Sequence, residues 1–275
     1  MSGSITLPPC RCWRPPSGAP PAWAALALVH GIGSHGEAFA PLARDLARAG
    51  VIVCAVDLPG HGRSPGPRGA LGSWDDFRCA VAGLLRRTAR EAPGLPQVVL
   101  GHSLGGTIAL DYVQRHPGSV AGTVVSNPAL AVEPTWRLAL AGVLAGVWPG
   151  FTLPTGIPLA ASAHDPQVLE RIRCDPLRHD RCSVRLATAW QQVAAELLSA
   201  PPGFPGPLLV LQSRGDTVIC PDTVARWVAG LGEADVTLKT YGDSLHELFD
   251  DREREWVITD LLAWLRRVCQ GCSRP

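Results

Sequence analysis

Hydrophobic and polar positions along the first half of the chain separate two kinds of element. Short apolar runs at Ala24–Val29, Val51–Asp57, Gln97–Gly101 and Val120–Asn127 have no clear polar face, as strands do when a parallel sheet is covered on both sides. Stretches of helical periodicity lie between them. "PLARDLARAG" carries Pro41 in its first turn and stops at Gly50. "SWDDFRCAVAGLLRRTAREAPG" sets Ser73 and Asp76 at capping-box spacing and ends before Pro93. "LGGTIALDYVQRHPG" closes at His116–Pro117. Strands alternating with crossover helices predict an α/β fold, a mostly parallel central sheet with helices on both faces.

The rhythm breaks after Asn127. From Pro128 to about Pro207 the chain offers helical patches, many prolines and no clear strand. It then resumes with a strand at Pro207–Ser213, a helix at Asp222–Leu231, the strand "DVTLKTY" and a last helix over Glu253–Val268. The expected organisation is a core in two parts, residues 1–127 and 207–275, carrying an all-helical insertion or cap at 128–206.

Composition narrows the classes. The chain has 275 residues, 46% of them hydrophobic, enough for one large core with an inserted subdomain. A formal net charge of +1 lacks the basic footprint of a nucleic-acid binder. No run reaches the roughly 18 apolar residues of a spanning helix, and the first residues lack a signal-peptide core, so the cytoplasm is the expected location. The cysteines are nine, an odd number. Cys54 and Cys79 fall within apolar elements and read as small hydrophobes. Cys10 and Cys12 near one end, with Cys269 and Cys272 near the other, lack zinc-site spacing. Neither a metal nor a disulfide is expected.

The chemistry sits at "GHSLG", Gly101–Gly105. A serine between an apolar strand and a helix start is either an N-cap or a nucleophile. Glycines two before and two after it let neighbouring backbone pass a sharp turn, and free N–H groups at the following helix start favour negative charge there. A nucleophile needs a base, and the base an orienting group. Asp216 follows the strand "LLVLQS", and His246 follows the last strand in "YGDSLHELF". The order Ser103, Asp216, His246 is nucleophile, acid, base, with all three at carboxyl ends of strands. After Ala24–Val29 comes the turn "HGIGSHG", whose Ile32 N–H is expected to form an oxyanion hole with the N–H of Leu104. His30 and His61 are expected to brace their turns.

With these motifs in place, the runs "LALVHGIGSHGEAFAPLARDLARAGVIVCAVDLPGHGRSPGPRGALGSWDDF", "GHSLGG", "LQSRGDTVICP" and "YGDSLHELFDD" resemble the monoacylglycerol lipase and lysophospholipase branch of the α/β-hydrolases. The resemblance implies a cofactor-free serine hydrolase that cleaves carboxylic esters of small lipids under a helical cap. Its catalytic roles fall on Ser103, Asp216 and His246, with Ile32 and Leu104 as oxyanion donors. Monoacylglycerol is the first expected substrate; a lysophospholipid or a general carboxylic ester is the alternative. A serine aminopeptidase and a non-catalytic ligand-binding relative are the more distant ones. Substrate-binding candidates are Gly31, His35, Trp136, Leu140 and Leu144. The cap segment "WRLALAGVLAGVW", Trp136–Trp148, is apolar nearly all round. It reads either as a buried helix or as a lid touching an acyl chain or a membrane surface. The arginine-rich run at 170–186 reads as a salt-bridged surface, with phosphate recognition as the alternative.

Overall fold

The computed structural model describes residues 8–131, 141–200 and 202–271. Its frame is a seven-stranded sheet in the order β1-β3-β2-β4-β5-β8-β9. The strands are β1 (Cys10–Trp13), β2 (Ala24–Val29), β3 (Val51–Val56), β4 (Gln97–His102), β5 (Gly122–Ser126), β8 (Leu208–Ser213) and β9 (Val236–Tyr241). β1 pairs antiparallel with β3, and every other pairing is parallel. Crossover helices follow β2, β3 and β4: α1 (Ala40–Arg48), α2 (Trp74–Glu91) and α3 (Leu104–Arg115).

The absence of a polar face in the strands has its reason in two cores. On one face Leu26, Val53, Leu100 and Leu209 pack under α1 and the C-terminal helix Arg254–Gly271, through Leu42, Leu46, Leu261 and Leu265. On the other, Ala27, Val99, Val125 and Val210 meet Phe77, Val81 and Leu84 of α2 and Ile108 of α3. A buried ionic knot joins those two helices. Asp111 accepts from Trp74 Nε1 at 2.9 Å, Arg78 Nε at 2.7 Å and Arg115 Nε at 2.8 Å. Burial alone would raise its pKa, but these donors hold the carboxyl below its ordinary value.

Because β3 and β4 flank β2 on opposite sides, the strand order reverses between β2 and β4. Loops at the carboxyl ends of those strands diverge there and leave a crevice. The turn after β2 and the serine after β4 both face it.

Three features depart from the expectations. The sheet gains β1 as an antiparallel edge strand. Among the described residues, the 128–206 stretch is not all helical: besides helices Pro166–Cys174 and Val184–Leu198 it holds an antiparallel ribbon of β6 (Thr152–Pro154) and β7 (Arg181–Ser183). Strands of three residues, one with a proline, leave no alternation to read. Third, Cys12 and Cys54 are joined in a disulfide, which corrects the reading of Cys54 as a reduced hydrophobe. The two are register partners on adjacent strands, a proximity that sequence separation conceals.

Candidate active site

β4 ends at His102 and α3 begins at Leu104, so Ser103 alone makes the turn, with φ 54° and ψ −122°. A side chain rarely adopts that backbone, and at this turn between strand and helix it makes a strained mounting for Oγ. The flanking glycines are required by close approach. A Cβ on Gly101 would lie 2.2 Å from the Gly105 carbonyl oxygen, and one on Gly105 would lie 2.2 Å from that of Val29.

Ser103, Asp216 and His246 come together as the sequence predicts. Ser103 Oγ–H donates to His246 Nε2 at 3.0 Å, and His246 Nδ1–H donates to Asp216 Oδ2 at 2.7 Å. The other carboxylate oxygen, Asp216 Oδ1, accepts the backbone N–H groups of Val218 at 2.7 Å and Ile219 at 3.0 Å. The acid is thus fixed by its own loop before it meets the imidazole. All three side chains are buried. Burial pulls the His246 pKa down, but the Asp216 charge and hydrogen bond, with the Glu247 charge, raise it above the ordinary histidine value.

The turn after β2 presses on the serine. A Cβ on Gly31 would stand 2.9 Å from Ser103 Cβ. His30 braces this turn as expected, with Nδ1–H donating to the Gly31 carbonyl at 2.7 Å and Nε2 accepting the Leu58 N–H at 3.0 Å. Burial drives its pKa down to about 3, so it stays neutral and structural. His61 likewise braces the "PGHGRS" turn through Pro59.

Two cavities meet at Ser103. One, of about 230 Å³, is lined mainly by apolar groups, among them Leu104, Ala141, Leu153, Leu186, Trp190 and Ile219. The other, of about 300 Å³, is mixed and the more polar of the two, with His102, Asp175, Arg178, His179 and Glu247 beside Ile157 and Leu159 on its walls. Ile32 borders both, and Gly31 the more polar one.

Other substrate-binding candidates fare differently. His35 is buried and off both cavities; its Nε2 lies 2.8 Å from Asp175 Oδ2, tying the inserted segment to the core. Leu144 packs behind the apolar wall, against Ala141, Val184 and Ala187. Trp136 and Leu140 lie outside the described residues.

Sequence reasoning missed two residues. Asn127, at φ 41° after β5, donates from Nδ2 to the His246 carbonyl at 2.8 Å and accepts the Ser213 N–H at 2.8 Å. It pins the base's loop to two strands; an asparagine directly after an apolar strand was the available signal, since asparagine tolerates positive φ. Glu247, next to His246, is largely buried, with Arg178 Nη1 at 3.3 Å and His102 Nε2 at 3.5 Å from its oxygens. Burial would raise its pKa, but Arg178 and the two histidines hold it down to about 2. Glu247 is therefore ionised at neutral pH.

That charge makes a prediction. As the expected base, His246 must be neutral to accept the serine proton, so activity is expected to rise with pH through its pKa. Glu247→Gln removes a charge that raises this pKa and leaves Arg178, which lowers it, without its partner. The acid limb of the kcat/KM profile is expected to move to lower pH, while kcat at its plateau stays within about tenfold. An unmoved limb in a pH–rate series would remove Glu247 from the site's electrostatics.

A family profile described as "Serine aminopeptidase, S33" matches residues 20–253. The "Monoacylglycerol lipase" of Mycolicibacterium smegmatis is 31% identical over 243 residues, covering 86% of each chain. The human "Monoglyceride lipase" is 31% identical over 280 residues, covering 97% of this chain and 89% of that one. The crystal structure of a Paleococcus ferrophilus monoacylglycerol lipase superposes with a TM-score of 0.83 at 29% identity, over 93% of this chain and 97% of the other. A monoglyceride lipase variant from Saccharomyces cerevisiae, at 22% identity, shares the fold with a TM-score of 0.85, over 94% of this chain and 91% of the other.

Proposed function

From the premise that the chain belongs to the serine aminopeptidase S33 family of hydrolases, we propose that it hydrolyses a carboxylic ester of a small lipid, monoacylglycerol first, through an acyl-enzyme on Ser103. The observation that carries this is the position of Ser103 Oγ at the junction of an apolar cavity and a more polar one. An acyl chain fits the first, and a hydroxylic leaving group the second.

The roles follow from the hydrogen bonds. His246 Nε2 takes the Ser103 proton as Oγ attacks the ester carbonyl, and Asp216 holds the imidazole in the Nδ1–H tautomer. The Ile32 and Leu104 N–H groups carry the oxyanion, each worth about 2.7–4 kcal/mol of barrier. His246 then protonates the leaving alcohol and activates water for deacylation. The 128–206 segment acts as the cap that closes the acyl cavity.

Charge supports a neutral headgroup over a phosphodiester. The largely buried arginine on the wall of the more polar cavity, Arg178, already has a carboxylate partner in Glu247, whereas Arg173 is exposed. Seating a phosphate there unpaired costs more than about 1.4 kcal/mol, so monoacylglycerol is expected to exceed the matched lysophospholipid in kcat/KM by at least tenfold. A parallel assay of both lipids and of an aminoacyl arylamide decides the class; the lysophospholipid or the arylamide turning over faster would overturn this reading.

The apolar cap segment supports contact with a lipid surface. Val143, Val147 and Trp148 are 76%, 85% and 60% exposed, beside the cavity wall at Ala141. No helix among the described residues is long and apolar enough to cross a membrane, so any attachment through these residues is peripheral. Val147→Asp is expected to weaken turnover of vesicle-borne substrate about tenfold, the worth of one buried aliphatic side chain. Turnover of a water-soluble short-chain ester stays unchanged, and equal losses on both substrates would exclude the surface role.

A further inference from the structure

Cys10 and Cys12 stand two residues apart on β1, so their side chains leave one face of the strand. Cys12 is the register partner of Cys54 on β3. Their three Sγ atoms lie within 4.8 Å of one another. Among the described residues, no other group of three His, Cys, Asp or Glu side chains converges in this way. Cys54 is fully buried, whereas Cys10 and Cys12 are partly open, which gives the cluster one wet side.

We propose that, once the Cys12–Cys54 bond is reduced, Cys10, Cys12 and Cys54 form a three-thiolate site for a thiophilic cation of the Zn²⁺ or Cd²⁺ kind. The reduction needs a thiol or phosphine reductant. It supplies two electrons, and with two protons from solvent the S–S bond becomes two thiols. As the cation enters, the three thiols release their protons to solvent and three S–metal bonds form. A water molecule takes the fourth position on the open side.

Distance favours this. Tetrahedral Zn–S bonds of about 2.3 Å set sulfurs about 3.8 Å apart. Sulfurs already within 4.8 Å reach that spacing by small side-chain rotations. The residue types fit as well, because thiolates select soft and borderline cations over Mg²⁺ or Ca²⁺. The disulfide ties the edge strand β1 to β3 under oxidising conditions, and the metal would tie the same strands under reducing ones. β1 therefore stays on the sheet in both states. Neither tie depends on what ester the enzyme cleaves.

The test uses the full chain reduced by a phosphine and titrated with Cd²⁺, read by ultraviolet sulfur-to-cadmium charge transfer. Wild type is expected to bind one Cd²⁺. Cys10→Ser, which keeps the disulfide pair, is expected to bind at least about 100-fold more weakly, with ester turnover unchanged as the check on folding. Cys79→Ser and Cys174→Ser are expected to bind as wild type, and the oxidised protein not to bind at this site. Equal affinity of wild type and Cys10→Ser, or no charge-transfer band in the reduced wild type, would overturn the proposal.

Discussion

Ser103→Ala is expected to lower kcat for ester hydrolysis by about a millionfold, as losing the nucleophile does where base and acid act only through it. The structure gives Ser103 Oγ one hydrogen-bond partner, His246 Nε2 at 3.0 Å, and no backbone N–H to cap. Removing Oγ therefore costs the fold little. Alanine must still adopt φ 54°, but serine bears the same strain. A fluorophosphonate probe should label wild type and leave the variant unlabelled, while the two circular dichroism melts nearly coincide. Residual labelling of a folded Ser103→Ala protein would place the nucleophile elsewhere. Loss of the folded signal would instead make Ser103 a structural turn residue.

What could be read from the sequence was what local pattern controls. The buried strands lack a polar face, and helix starts and stops carry capping residues, so the parallel core emerged from periodicity alone. The convergence of Ser103, His246 and Asp216 is legible because each follows a strand, and strand ends converge in this topology. What escaped depends on contacts between distant segments. β1 is a short edge strand whose partner, β3, comes 42 residues later at the Cys12–Cys54 pair. Asn127 and Glu247 act through backbone and side chains that only folding brings near. His35 reads as a pocket residue because it follows the glycine turn, yet it turns instead toward Asp175 on the inserted segment. That segment is stitched to the core between Ala161 and Ser183. The His179 N–H donates to the Gly33 carbonyl, the Ser183 N–H to Gly69, and the His246 and Glu247 N–H groups to Ala161 and Ser162. No periodicity encodes such bonds, since their donors and acceptors are backbone groups common to every residue.

Asp216→Asn is expected to lower kcat about 10⁴-fold at neutral pH, with KM little changed, because it imposes the wrong imidazole tautomer. The local bonds force this outcome. Oδ1 of residue 216 must accept from the Val218 and Ile219 N–H groups at 2.7 and 3.0 Å. In the variant the amide oxygen takes that position, and the NH₂ is left facing His246 Nδ1. An NH₂ can only donate, so Nδ1 must accept and the ring proton moves to Nε2. Nε2 then points a hydrogen at Ser103 Oγ and cannot take its proton. The charge effect runs separately: the Asp216 carboxylate raises the His246 pKa, so its loss lowers that pKa and leaves more neutral base at acid pH. The two effects oppose one another there. A variant limited only by protonation would equal or surpass wild type at low pH, whereas one trapped in the wrong tautomer stays slow throughout the profile. A pH–rate series on Asp216→Asn separates them, and a loss below tenfold at every pH would mean that another group orients His246.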